Sequence, residues 1–133
     1  MRTARLRDGD RGETTTQMVV IVPVIITLLF LIVHIAVLSH ASHVAQVAAL
    51  RGAQIAASAN GSVDELGRAI QQSQRIAREM GATITSRPQL KWGERSVGMA
   101  VRVTTQSVVP FLPHEVERIV WVAEEKFILE QNR

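Results

Sequence analysis

From Thr14 to Leu50 the chain carries no Asp, Glu, Lys or Arg, and inside that neutral zone Met18–Leu38 reads MVVIVPVIITLLFLIVHIAVL. Sixteen of these 21 residues are Val, Ile, Leu or Phe. At about 1.5 Å of rise per residue such a helix reaches roughly 31 Å, the span of a bilayer's hydrocarbon core. Its apolar side chains favour insertion by roughly −6 kcal/mol as an upper bound, opposed only by Pro23, Thr27 and His34. Pro23 lacks the N–H of a normal helical turn, which leaves a carbonyl free and favours a kink. Thr27 can bond the carbonyl of its own preceding turn. His34 lies near the exit end and is expected to reach the interface as a neutral imidazole.

The helical pattern continues past the apolar run. Residues 41–59 (ASHVAQVAALRGAQIAASA) lack proline and are rich in alanine, the strongest helix former. At 100° per residue Ala41, Ala45, Ala48, Ala49, Gly52, Ala56 and Ala59 share one face, while His43, Gln46, Arg51, Gln54 and Ser58 share the opposite one. The small-residue face forms a packing groove. It can seat the chain's own second helix or sheet, or a neighbouring subunit, and the pattern leaves both open. One helix is therefore expected from about Thr14 to Ala59, with only its first half in lipid.

Asn60-Gly61 ends that helix, and Ser62-Val63-Asp64-Glu65 has the form of a capping box. Leu66, Ala69, Ile70, Ser73, Ile76, Ala77 and Met80 recur at helical spacing, and Gly81 suits the left-handed position beyond a helix end. Strands are expected at Ala82–Arg87 and Gln89–Trp92, with Pro88 confining them to an edge or bulge. Val97, Met99, Val101 and Val103 alternate with Gly98, Ala100, Arg102 and Thr104 as a half-buried strand. Pro110-Phe111-Leu112-Pro113 is a rigid apolar corner. A last strand runs from Glu115 to Ala123, with Val116, Val120 and Val122 on one face and Ile119, Trp121 and Ala123 on the other. Apolar residues on both faces of that strand point to contact with a neighbour. The expected fold class is α+β: a long N-terminal helix, transmembrane in its first half, a second amphipathic helix and a small antiparallel sheet.

Composition narrows the function. With 133 residues and the apolar run in lipid, only the 74 from Asn60 onward remain for a soluble core, a size that favours packing against other subunits. The chain has no cysteine, which removes disulfides, thiolate metal sites and a cysteine nucleophile. Its net charge of +3 is spread singly, without the basic stripe and interleaved aromatics of a nucleic-acid binder. His34, His40, His43 and His114 are the candidates for metal or general-base work, but no acidic residue lies near them in sequence to complete a site. There is no phosphate loop and no nucleophile motif. No catalytic residue, metal site or cofactor is expected.

The leader MRTARLRDGDRGE places Arg2, Arg5, Arg7 and Arg11 before the apolar run. By the positive-inside rule these arginines hold the N-terminus in the cytoplasm, so the C-terminal head is extracytoplasmic and the chain a single-pass protein of the plasma membrane. Ser39-His40-Ala41 also offers a possible signal-peptidase cut after Ala41, but the apolar run exceeds the 7–15 residues of a secretory signal's central region.

The order of parts resembles type IV pilin-like proteins, and more narrowly the TadE-like proteins of the Tad (Flp) pilus assembly system. Arg11-Gly12, Glu13 and the small residues after it, then Gln17-Met18 and Pro23 fall in the family's N-terminal register. Arg51-Gly52-Ala53 with Ala56-Ala57 and the closing Val109-Pro110, Val116 and Glu125-Lys126-Phe127 also fit. The resemblance implies cleavage by a prepilin peptidase between Gly12 and Glu13, and partners among other pilin-like subunits, the pilus assembly machinery and membrane lipid. Gln17 stands where the family usually has a glutamate, which is thought to pair with a neighbouring subunit's N-terminal ammonium. A neutral amide can hydrogen-bond there but cannot neutralise charge.

The domains implied are a basic leader over residues 1–12, a long helix over 13–59 with its transmembrane segment at 18–38, and a head over 60–133. The function implied is a pilin-like component of pilus or secretion-pseudopilus assembly, acting through helix–helix and head–head packing. The alternatives are a static single-span binding module and a small secreted protein released after Ala41.

Overall fold

The computed structural model describes the backbone of residues 10–106 and 109–124, with side chains from Gln17 onward. The basic leader's first nine residues and the Phe127-Ile128-Leu129 tail lie outside the described residues, as does the Glu125-Lys126-Phe127 motif. Helix α1 (Asp10–Ser58) is 49 residues long and runs unbroken through Pro23. The Thr27 hydroxyl donates to the Pro23 carbonyl at 2.8 Å, the backward bond that threonine can make in an apolar helix. The helix is followed by α2 (Val63–Glu79), β1 (Thr83–Ile84), β2 (Gln89–Trp92), β3 (Ser96–Thr104) and β4 (Glu115–Ala123). The architecture is α+β.

All strand pairings are antiparallel. β4 pairs with β3 along its whole length, from Ser96↔Ala123 to Thr104↔Glu115. β1 and β2 pair with β3 as well, so β3 is the central strand. The register places Val97, Met99 and Val103 opposite Val122, Val120 and Val116, and this face packs against α1 and α2. β3 is buried on more than the expected face, because Gly98 and Ala100 are buried too. At Gly98 a Cβ would lie 2.8 Å from Cε3 of Trp121, so the indole covers the bare backbone there on the outer side of the sheet.

Between the helices Asn60 (φ 48°) and Gly61 (φ 80°) reverse the chain. Ser62 occupies the N-cap position of α2, but its side chain makes no capping bond, so the expected capping box is not formed. The C-terminus of α2 closes as expected. Gly81, at φ 81°, donates to the Arg78 carbonyl and Ala82 to the Ala77 carbonyl, both at 2.9 Å. β1 is shorter than the sequence pattern suggested, with only Thr83 and Ile84 paired in the ladder before the chain turns toward the buried Pro88.

Candidate functional site

Burial divides α1 sharply in two. From Gln17 to Val33 every residue is exposed, which leaves an uncovered rod of Val, Ile, Leu and Phe side chains. Among the described side chains the first buried residue is His34, at 2% exposure. A soluble core helix of this length would show a buried stripe at helical spacing, and this half shows none. Water is a poor solvent for such a surface and the hydrocarbon of a bilayer is a good one. By length and composition α1 is the one candidate membrane span among the described residues.

The second half of α1 belongs to the head. Ala41, Ala45, Ala48, Ala49, Gly52, Ala56 and Ala59 are all buried within the single chain, and Val44, Ala53 and Ala57 are buried with them. The groove is therefore filled by the chain's own α2, β3 and β4. Of the two occupants left open by the sequence, the neighbouring subunit is the one this packing displaces: a face with no exposed surface has none to offer. The buried arc is wider than one helical face because α2 and the sheet press on the helix from different sides, and the alanines beside the groove were the available signal. His43, Gln46, Arg51, Gln54 and Ser58 are exposed, as their common face predicts.

His34 corrects its expectation. Instead of reaching an aqueous interface it is covered by the segment between β3 and β4, and its Nε2 lies 3.2 Å from the carbonyl oxygen of Pro113. A carbonyl accepts only, so Nε2 carries the proton and Nδ1 is left buried without a partner. A second tie between head and helix comes from Arg118, whose Nε donates to the Ser42 hydroxyl at 2.9 Å. The head is thus docked on α1 from His34 onward, with no free stalk between the exposed rod and the packed core.

Three further sequence candidates fall at the rod's N-terminal end. Gly12 and Glu13 lie in the helical backbone at the start of α1, and Gln17 is exposed where the apolar run begins. His40 and His43 are exposed, and among the described residues no group of three His, Cys, Asp or Glu side chains could hold a metal ion.

On the outer face of the sheet Ile119 and Trp121 remain exposed, beside an ion pair of Arg102 with Glu117 at 2.6 Å. The hydrogen bond from Arg102, aided by its charge, holds the Glu117 carboxyl below the usual carboxylate range.

The boundaries of α1 now meet an independent observation. Residues 12–54 match the family model of the TadE-like proteins. The TadE-like segment starts at Gly12, the expected processing position, and includes the whole exposed rod, His34 and most of the buried alanine face. α2 and the sheet lie outside it. No curated protein and no solved structure matches the chain. The TadE-like match and the exposed apolar helix together support a membrane-anchored protein associated with pilus assembly.

Proposed function

We propose that this protein is a structural component of a Tad-type pilus or secretion pseudopilus, held in the plasma membrane by the first half of α1 with its head on the extracytoplasmic side. The observation that carries this reading is the coincidence of the TadE-like match with a helix bare from Gln17 to Val33 and packed into its own head from His34. Because the alanine face is used internally, helix–helix contact between subunits falls to the bare rod, and head–head contact to surfaces such as exposed Ile119 and Trp121. The partners are other pilin-like subunits, the assembly machinery and lipid, and the action is association without chemical turnover.

Processing between Gly12 and Glu13 by a prepilin peptidase would remove the arginine leader that retains the N-terminus in the cytoplasm and free the rod to move into an assembly. N-terminal sequencing of the mature protein tests this. A start at Glu13 agrees with the pilin-like route, an intact leader points to a static anchor, and a start at Ser42 excludes both. The continuity of α1 through the buried Ala41 favours the first two over release. Gln17→Glu tests the pairing role of that position. If a carboxylate there serves to neutralise a neighbour's ammonium, crosslinked oligomers should increase in the variant; an unchanged yield removes Gln17 from the account.

A further inference from the structure

The segment between β3 and β4 has a composition and a position that subunit assembly does not explain. No Asp, Glu, Lys or Arg occurs between Arg102 and Glu115, and Val109-Pro110-Phe111-Leu112-Pro113 is wholly apolar. The neck of this loop is closed by Thr105, which donates its N–H to the His114 carbonyl at 2.8 Å. Its end is tied to α1 by the contact of Pro113 with His34. Beyond that tie the loop turns toward the bare rod, where Val109 and Pro110 face Thr27, Phe30 and Leu31 across an open cleft of about 360 Å³. At the tip Phe111 is held at φ 73°, a left-handed conformation unfavourable for a bulky residue, with its side chain fully exposed.

We propose that this loop is a second membrane contact, with Pro110, Phe111 and Leu112 inserted among the lipids of the leaflet on the head's side. The inference rests on the rod lying in a bilayer. A hydrocarbon core of about 30 Å takes up roughly 20 helical residues; counted back from Val33, the last exposed residue before the head, these are residues 14–33, a few residues ahead of the 18–38 that hydropathy alone assigns. On that placement Leu31, Phe30 and Thr27 lie roughly 3 to 9 Å inside the edge of the core. That is the depth at which apolar faces of interfacial segments settle, about 5–10 Å. The loop alongside them meets acyl chains and not water. An aromatic ring that the fold displays outward is favourable there, and two flanking prolines keep the tip from paying much additional ordering entropy. The loop and the rod then fix the head at two points, which sets its tilt on the membrane.

The absence of cysteine makes the test direct. Single spin labels are placed at Phe111→Cys, Pro110→Cys, Ile26→Cys in the rod and Gln89→Cys on the exposed face of β2, in full-length protein held one chain to a lipid nanodisc. Collision with oxygen reports lipid, and collision with a water-soluble nickel chelate reports solvent. The proposal expects the labels at 110 and 111 to favour oxygen by several-fold, with 26 deeper and 89 in water. The label at 110 reads the loop with Phe111 intact, should the variant at 111 disturb the turn. If 26 is in lipid while 110 and 111 meet nickel, the loop proposal fails and the membrane span stands. Labels at 110 and 111 shielded from both reagents would mean packing against protein, which also overturns it. A nickel-accessible 26 would sink the span and the loop together.

Discussion

Gly52 allows the close approach of α1 to the head. A Cβ there would stand 2.8 Å from Cε of Met99 and 3.0 Å from Cβ of Ser73, so β3 and α2 both close on the same spot. Gly52→Leu should destabilise the fold by about 1–3 kcal/mol through overpacking, read as a shift in the denaturation midpoint of detergent-solubilised protein. Gly52→Ala should destabilise less than Leu: the Met99 methyl can yield, but Cβ of Ser73 is fixed to α2, and that crowding opposes the roughly 1 kcal/mol the helix gains from replacing glycine. Intermolecular crosslinking should follow unfolding and nothing else. The small size of residue 52 is legible in the sequence as a need for close packing. Which partner closes on it is not, because a glycine on a helix face suits a neighbour's backbone as well as the chain's own.

The helices and strands differ in how they end and how they pair. α2 has an N-cap serine that makes no side-chain bond, so Ser62→Ala should cost much less than the usual ~1 kcal/mol of a lost cap, measured by chemical denaturation. The capping-box pattern at Ser62 and Glu65 failed as a guide because it identifies residues able to bond, while the side-chain geometry of the folded chain governs whether they do. β3 and β4 are joined across their outer face by Arg102 and Glu117, which stand opposite each other in register. The folded state depresses the Glu117 pKa, so the pair's contribution is present above the ordinary carboxylate range and is lost as pH falls through the lowered value. Glu117→Gln should therefore lower the thermal midpoint slightly at neutral pH, less in high salt, and not at all in strong acid. Equal shifts at both pH values would remove the ion pair from the explanation. The β4 strand itself was readable to its ends, with Val116, Val120 and Val122 half-buried on one face and Ile119, Trp121 and Ala123 exposed on the other.

At the scale of the whole molecule, the chain is a bare rod joined directly to a head, with half of the head's core supplied by the rod's own helix. Two truncations should separate the parts. Removing residues 1–33 leaves in place every residue of α1 that is buried among the described side chains, and should give a folded, water-soluble head. Removing residues 1–41 also takes away His34 with its Pro113 contact and the buried Ala41, and should give a head with a lower denaturation midpoint. Equal midpoints would show that the His34 junction adds nothing to the stability of the head. The rod–head boundary lies at His34, inside the apolar run that the sequence pattern assigns to lipid as far as Leu38. An apolar residue facing lipid and one facing protein are chemically alike, so hydropathy locates a span and cannot show where a covering domain begins.

The sequence alone determined the elements of α1, α2, β3 and β4, the length of the apolar run, the lack of charge along it and the TadE-like register of its N-terminus. Those properties are local: rise per residue, period, helix propensity and transfer free energy need no knowledge of what packs where. Only the tertiary structure decided that the alanine face is internal, that His34 is capped by Pro113, and that the Val109–Pro113 loop lies beside the rod. Each of these is a contact between residues far apart in the chain, 79 positions in the case of His34 and Pro113. Many distant partners can satisfy the same small face or the same imidazole, and close packing of the folded chain selects among them.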